Sequence, residues 1–471
     1  MLVGTGLTLT LGGCLLTDTP EPGLDIPAAY RIASRDPRIA EAALPKIDWW
    51  RGFRSRELTT IIEQANDANL DVAAAVARIV QADANARIAG APLLPDFTLD
   101  ADAQRSRGSR SISPTARDSN VLTATMTASY EIDFWGKNRA ALRSAEQSAV
   151  AARFDREVVA LSTVASAANA YFQMLAAQDR LQAARNNLTS ANRVLELIRQ
   201  RANAGTASAL EIAQQESVVN TQRAAIPPLQ QTVEANRNTI AVLMARSPES
   251  VRVKGGTLRA IAIPRVTPGL PSELLAQRPD IREAEANLAA ANANVQVARA
   301  QMLPSISLTA QGGVQSAVLK TLLRPESTLY SIAGGLTQPI FDGGQLQGNL
   351  DFQKGRQDEL LQNYRKAVIS GFSDVETALS NVRQTAQAER LQAEVVASSR
   401  RAYDISEQRL REGTIDLVTV LQTQQTLFSA QDALTQARLA HVQAIVSLYQ
   451  ALGGGWSPKP RLAQDNQSQP Q

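Results

Sequence analysis

One cysteine and one histidine are all that 471 residues offer of the side chains most used to bind metals or drive nucleophilic catalysis. A lone thiol makes no disulfide framework, and so thin a stock assembles neither a zinc site nor a Cys-His pair. No Ser-His-Asp order, HExxH or phosphate-loop signature occurs either. The inventory argues against an enzyme, and most strongly against a hydrolase. His441 stands in a helical pattern, Ala-His-Val-Gln, and is read as a surface or groove position. Aromatic residues make up only 4 %, and 48 basic residues face 45 acidic ones without forming a basic stripe interleaved with rings. Nucleic acid is therefore excluded as a partner. Long apolar runs are missing too: Leu2 to Leu11 falls well short of the roughly 20 residues a spanning helix needs.

What the chain has instead is a duplication. Leu70-Asp71-Val72-x-x-Ala75 returns 209 residues later as Pro279-Asp280-Ile281-x-x-Ala284, and Leu94-Pro95 returns at the same offset as Leu303-Pro304. Phe134-Trp135-Gly136 returns as Phe341-Asp342-Gly343, and Gly205-Thr206 as Gly413-Thr414. So long a period marks a doubled architecture rather than a solenoid, whose units run about 20–50 residues.

Each copy opens with a pair of two-faced strands. From Asp96 to Gln104, Phe97, Leu99, Ala101 and Ala103 alternate with Asp96, Thr98, Asp100, Asp102 and Gln104. From Val121 to Asp133, Leu122, Met126, Tyr130 and Ile132 oppose a row of Thr, Ser and Glu. In the second copy Ile306, Leu308, Ala310 and Val314 oppose Ser307, Thr309, Gln311 and Gln315; the fourth strand, Tyr330 to Leu336, is glycine-rich. A period of two predicts one apolar and one wet face, and about 9–11 residues suffice for a tilted spanning strand. The intervening stretches, Ser106 to Asn120 and Ser316 to Ser327, have the composition of exposed turns. Backbone facing lipid must be paired internally, so spanning strands need a closed barrel. The smallest bacterial barrels use about eight strands, and this chain offers four. If they span, several copies must share one barrel.

Each copy continues into a helical hairpin. From about Lys137 to Ala204 there is neither Pro nor Gly. Phe154, Val158, Leu161, Ala165, Ala168, Phe172 and Leu175 form a seam that slips near Asp179 and resumes at Leu181, Ala184, Leu188, Ala191, Leu195, Ile198 and Ala202. The second copy repeats it with Leu361, Tyr364, Val368, Gly371, Val375, Ala378 and Val382, then Leu391, Val395, Ser398, Ala402 and Ile405. Gly205 and Gly413 suit left-handed C-caps. Thr206 to Ser208 and Thr414 to Asp416 supply caps for returning helices, Ala209 to Ala245 and Leu417 to Leu452. Pro227-Pro228 interrupts the first of these. The small seam residues suit a curved wall of helices with two contact seams each.

At the N-terminus, Leu11-Gly12-Gly13-Cys14 resembles the lipobox of bacterial lipoprotein signals. That resemblance implies a diacylglycerol thioether and an N-acyl chain on Cys14, the only cofactor-like group expected. No Lys or Arg precedes the apolar run, which fits a start codon assigned too late. Leu15 rather than Asp after the cysteine favours export to the outer membrane.

Strand pair, hairpin, strand pair, hairpin behind a lipobox resembles the outer-membrane efflux family of TolC, most closely its OprM/NodT-type lipoproteins. The matching stretches are Trp49-Trp50, Tyr130 to Gly136, Arg278 to Arg282, Pro339 to Gly344, Gly413 to Asp416 and Gly453 to Trp456. The resemblance implies a mainly α fold with a transmembrane β part. Three copies would share an outer-membrane β-barrel, four strands per chain, continued by a periplasmic α-helical barrel. It implies a passive exit duct, loaded by a periplasmic adaptor and an inner-membrane pump of RND type. The expected domains are a signal peptide (1–13), a lipid-anchored linker (14–56), a first repeat (57–254), a linker (255–270), a second repeat (271–456) and a tail (457–471). Two sets of residues carry over. The adaptor-docking tips fall at Arg201 and Gly205 and at Arg409 and Gly413. The aperture falls at Val418 and Gln422, with Asp416 one turn away and Gln214 matching Gln422 in the first repeat. Where relatives often have carboxylates this chain has Thr419 and Gln422, so closure would rest on apolar contact and amide hydrogen bonds. A duct for type I protein secretion is the alternative. A surface-anchored coiled-coil adhesin is a third reading, which would need neither duplicated strands nor glycine tips.

Overall fold

The computed structural model describes residues 23–24, 26–27, 30, 47–109, 111, 118–264, 266, 271–454 and 456. Cys14, the signal peptide expected over 1–13 and the tail expected over 457–471 lie outside the described residues. The order of elements is α1 (Arg56–Ala68), α2 (Leu70–Gly90), β1 (Asp96–Arg107), β2 (Asp118–Ile132), α3 (Lys137–Asn203), α4 (Ala209–Ala224) and α5 (Ile226–Leu243). The second copy follows as α6 (Pro271–Gln277), α7 (Pro279–Gln301), β3 (Ser305–Ser316), β4 (Thr328–Thr337), α8 (Gln345–Arg411) and α9 (Leu417–Ala451). At 67 residues each, α3 and α8 run about 100 Å. The chain divides into two compact units. One is built on Ala77–Arg153 and Glu283–Lys366, the other on Asp25–Val76, Phe154–Arg282 and Ala367–Gln471.

The first unit holds a four-stranded antiparallel sheet in the order β1-β2-β3-β4. Its register sorts the side chains by face. Leu99 lies opposite Met126, Met126 opposite Gly312, and Gly312 opposite Tyr330; Ala101, Ala124, Val314 and Thr328 form the next row. All four strands thus turn their apolar residues the same way. Leu99 and Met126 are exposed there, and Tyr330 and Ile332 are 86 % and 81 % exposed. Asp96, Asp100, Asp102, Thr123, Thr127, Ser307 and Gln311 occupy the other face. β1 and β4 are each paired on one side only, so the sheet is open. From Leu122 to Ile132 the apolar band of β2 runs ten residue steps, about 34 Å along the strand and about 26 Å once tilted by roughly 40°. That matches the height of about 25 Å expected for a lipid-facing band.

The helical parts of this unit pair in the same way in both copies. Arg153 of α3 bonds Asp83 of α2 at 2.7 Å, and Gln357 of α8 bonds Asn292 of α7 at 2.8 Å. Asp133 starts α3 by accepting from the N–H groups of Asn138 and Arg139 at 2.9 and 3.0 Å. Asp342 does the same for α8 through Gly344 and Leu346. Burial works to raise the Asp133 pKa, but these donors and the Arg139 guanidinium outweigh it and hold the carboxyl below its usual range.

The second unit has the large core. Trp49 stacks on Tyr449 with centroids 4.7 Å apart, and Phe53 meets Phe172 at 5.0 Å. Around them pack α1, the Val164–Ala177 stretch of α3, α5 and the end of α9. That stretch of α3 belongs to a helix long and apolar enough to pass for a membrane span, contrary to the expectation that no such run exists, but it is mostly buried in this core.

Several sequence expectations need correction. The strands run further than the alternation does, because Arg105, Arg107 and Asp118 still pair after the apolar rows end. The interruption expected at Pro227-Pro228 is present but falls at Ala225, dividing the first returning helix into α4 and α5, and the two prolines lie in the first turn of α5. The linker after the first repeat is part of the core: Glu57 accepts from the N–H groups of Lys254 and Gly255 at 2.8 and 3.0 Å, and Asp179 accepts from Leu258 at 2.9 Å. The seam slip near Asp179 is where α3 turns a carboxylate toward this linker. Arg438 donates to the carbonyls of Leu258, Arg259 and Ile261 and to Glu389, which also binds His441 at 2.7 Å. His441 is therefore buried and structural, not on the surface. In α8 the Leu391, Val395, Ser398, Ala402, Ile405 stripe is exposed, and the chain buries Ser399, Tyr403, Ser406 and Leu410 instead. α8 carries two seams, and this chain fills one.

Candidate functional site

Both hairpins turn by the same backbone device. At the first tip the N–H of Gly205 donates to Ala202 O at 2.9 Å and that of Thr206 to Arg201 O at 2.8 Å. At the second, Gly413 donates to Leu410 O at 3.1 Å and Thr414 to Arg409 O at 2.9 Å. These are paired Schellman bonds, and they need a left-handed residue at the glycine; φ is +76° at Gly205 and +71° at Gly413. The following threonine hydroxyl adds a bond to the same arginine carbonyl, 3.0 Å at Arg201 and 3.2 Å at Arg409. The turn uses only the backbone of Arg201 and Arg409. The Arg201 side chain reaches back to Thr206 O at 3.5 Å, and Arg409 is exposed with no ion pair among the described residues.

The returning helices start from different caps. Ser208 and Glu211 form a reciprocal capping box: Glu211 N–H donates to Ser208 Oγ at 3.3 Å, and Ser208 N–H to Glu211 Oε2 at 2.6 Å. Asp416 Oδ1 accepts from Thr419 N–H at 2.8 Å and from its hydroxyl at 2.7 Å. These two donations from Thr419 hold the Asp416 carboxyl below its ordinary pKa. Asp416 is thus engaged at the first turn of α9, and Thr419 is turned toward it.

Of the residues expected at the aperture, Val418 and Gln422 lie on one face of α9. Val418 is 49 % exposed, and Gln422 is exposed one turn further on. Gln214 occupies the matching turn of α4 and is half-buried. The sequence reading missed Leu210, 66 % exposed, which stands to Gly205 as Val418 stands to Gly413. Applying the repeat offset to Val418 would have found it. Each returning helix therefore presents an exposed apolar residue in its first turn and an amide one turn deeper.

Beneath this rim the two hairpins are stitched together. Val194 and Ile198 of α3 pack with Tyr403 and Leu410 of α8 and Leu417 and Val420 of α9. Between the hairpins Arg193 Nε lies 3.2 Å from Glu407 Oε1; within the first, Gln215 Nε2 donates to Ala191 O at 2.8 Å, and within the second, the hydroxyls of Ser406 and Thr423 are 2.7 Å apart. Burial pushes the Tyr403 phenol above its usual pKa, with the Glu407 charge adding and Arg193 opposing. Among the described residues no three potential metal ligands converge.

A sequence profile described as "Outer membrane efflux protein" matches residues 61–246 and 270–454. The chain is 40 % identical over 458 residues to the pyoverdine export outer membrane protein OpmQ of Pseudomonas putida, covering 96 % of each. It is 31 % identical over 473 residues to the toluene efflux pump outer membrane protein TtgF of Pseudomonas putida, covering 98 % of each. It superimposes on the solved outer-membrane channel OprN with a TM-score of 0.87 at 28 % identity, over 93 % of this chain and 99 % of that one.

Proposed function

This chain belongs to the outer membrane efflux protein family, and on that footing we propose that three copies build one exit duct of a tripartite efflux system. The observation that carries the trimer is the open sheet. It has two unpaired edges and a continuous exposed apolar face, and a lipid-facing sheet is stable only when its edges close. Three such sheets give twelve strands, above the roughly eight of the smallest barrels. The carboxylate- and hydroxyl-lined face then forms the wall of the lumen.

The partners follow from the tips. A periplasmic adaptor docks on the two Schellman turns, Arg201 and Gly205 in one groove wall and Arg409 and Gly413 in the other, with an RND-type pump behind it. Last-turn arginines gain about 0.3–1 kcal/mol from the helix dipole. The backbone device leaves the Arg409 guanidinium, and that of Arg201 beyond its long 3.5 Å contact with Thr206 O, available to a partner's carboxylates. Leu210, Val418, Gln214 and Gln422 form the aperture, and Asp416 fixes the start of the helix that carries Val418. Cys14 takes the lipid that anchors the N-terminus, and the duct itself performs no chemistry. The relative at 40 % identity is named for pyoverdine export and the one at 31 % for toluene efflux. We assign the choice among such small compounds to the pump, not to this wall.

The test is deletion of the gene with complementation by the wild-type chain and by Arg201→Glu/Arg409→Glu. Deletion is expected to sensitise cells to small compounds. Wild type restores resistance, and the double variant assembles as a trimer but fails to recover the adaptor in a pull-down. Loss of secreted proteins with unaltered compound sensitivity would overturn the efflux reading. Full resistance and adaptor recovery in the double variant would remove the docking residues alone.

A further inference from the structure

The end of the sheet away from its helical connections carries a feature that closing a barrel does not explain. On β1 the apolar row Phe97, Leu99, Ala101, Ala103 continues on the same face into Arg105 and Arg107. Both are exposed, and Asp118 of β2 lies between them, with Arg105 Nη2 at 3.2 Å and Arg107 Nε at 2.8 Å. One carboxylate holds two guanidiniums side by side and leaves a net positive charge with several N–H donors unused.

The β3–β4 connection rises at this same end, since Ser316 pairs with Leu122 at the level of Ala103. It is built tightly. Ser316 Oγ and Thr321 Oγ1 are 2.6 Å apart, Thr321 Oγ1 bonds Val318 O at 3.0 Å, and Ser327 Oγ donates to Thr321 O at 2.8 Å. Yet this fixed loop leaves Leu319 and Leu323 73 % and 88 % exposed, beside exposed Lys320 and Arg324. Large apolar side chains held outward by a hydrogen-bonded loop are costly in water, and they alternate here with cations. Apolar surface next to guanidinium and ammonium groups fits one environment on a barrel: the boundary between acyl chains and phosphate headgroups.

We infer that Arg105, Arg107, Lys320 and Arg324, with Leu319 and Leu323, form a docking surface for the phosphorylated, acylated glycolipid of the outer leaflet. The guanidiniums take sugar-linked phosphates through paired N–H donors, and the leucines enter the adjoining acyl layer. Asp118 positions the two arginines and keeps each from collapsing onto the sheet. This inference rests on the outer-membrane orientation of the sheet, and barrel formation is scored separately from lipid binding in its test.

The experiment measures binding of purified lipopolysaccharide, intact or enzymatically dephosphorylated, to the detergent-solubilised full chain, with phosphatidylglycerol as competitor. The variants are Arg105→Gln/Arg107→Gln, Lys320→Gln/Arg324→Gln and Leu323→Ser. Heat-modifiable gel mobility reports the folded barrel independently. The expected result is at least a tenfold loss of affinity for intact lipopolysaccharide in each cationic pair, with barrel mobility unchanged. Wild-type affinity for the dephosphorylated lipid falls to the level of the variants, and phosphatidylglycerol competes poorly. Equal binding of intact and dephosphorylated lipid, or wild-type affinity in both cationic pairs, overturns the inference, as does equal competition by phosphatidylglycerol. Should β1 changes impair folding, the loop pair and Leu323→Ser, which touch no strand pairing, carry the same comparison.

Discussion

Arginine at position 99 and arginine at position 98 differ by one residue and should differ by several kcal/mol. Leu99 is exposed and sits in the row Leu99, Met126, Gly312, Tyr330, near the middle of the apolar band. Thr98 is on the opposite face, between Asp96 and Asp100, and bonds Asp100 only weakly at 3.5 Å. An arginine on the lipid face at the bilayer midplane costs about 2–4 kcal/mol. In a shared barrel of three chains, Leu99→Arg therefore costs about 6–12 kcal/mol per trimer. Thr98→Arg enters a wet wall beside two carboxylates and should stay within about 0.5 kcal/mol per chain, as ordinary surface changes do. The assay is equilibrium unfolding from phospholipid vesicles, followed by the gel mobility of the folded barrel. Equal costs for the two variants, or a harmless Leu99→Arg, would refute the assignment of faces, because a strand has no third side on which to put a residue.

Gly413→Ala should destabilise the second tip by about 1–2 kcal/mol, seen as faster hydrogen exchange at Thr414 to Leu417. No atom lies within 4 Å of the added Cβ, so the whole effect is backbone strain, and Gly413→Asn should lose less. Acid should fray the start of α9 only below about pH 4. The folded pKa of Asp416 is depressed, so its contribution is complete above the unfolded value and disappears as pH falls through the folded one; fraying already at pH 6, read by exchange at Thr419, would contradict this. Val395→Asp with Ile405→Asp should leave the chain folded but unable to trimerise in sedimentation, because that stripe of α8 is exposed in the single chain and each residue stands to bury about 1.5–3 kcal/mol against a neighbour.

Alternation made the sheet legible, and it failed where its physical cause stopped. Lipid imposes a period of two only across the hydrocarbon, so the pattern ends at Ala103 and Leu122, whereas backbone pairing continues through Arg107 and Asp118. The glycine-rich β4 was the hardest strand to read because Gly334 and Gly335 erase the alternation while still pairing with Leu308 and Ser307. The tips were legible because a Schellman turn leaves a glycine signature. Their caps were partly so, since Ser208 and Asp416 are good N-caps in any context. The exposure of the α8 stripe was hidden. Its residues look like ordinary core positions in a sequence, because a residue reserved for a neighbouring copy has the same chemistry as one buried at home. The linker's burial was hidden as well. Its anchors, Glu57, Asp179 and Arg438, are polar residues on three distant segments, and no local pattern connects them.

The acidic groups near the aperture decide how it can open. Glu211 and Asp416 are the carboxylates in the first turns of the two returning helices, and both are spent on capping. Each also lies at the positive end of a helix, which offsets its charge. What faces the proposed lumen one turn deeper is Gln214 and Gln422, which neither titrate nor hold a divalent cation strongly. On the proposed trimer the closed state is expected to be held by Leu210 and Val418 from each chain and by amide hydrogen bonds. Such a closure should respond weakly to chelators and to pH between 5 and 8, and strongly to a change in apolar contact. In planar bilayers, Val418→Ser with Leu210→Ser should raise the single-channel conductance of the isolated trimer, whereas removing divalent cations should leave the wild type closed. A wild-type channel that opens on chelation would mean that carboxylates hold the aperture after all, and the capping bonds of Asp416 and Glu211 would have to be given up in the assembled duct.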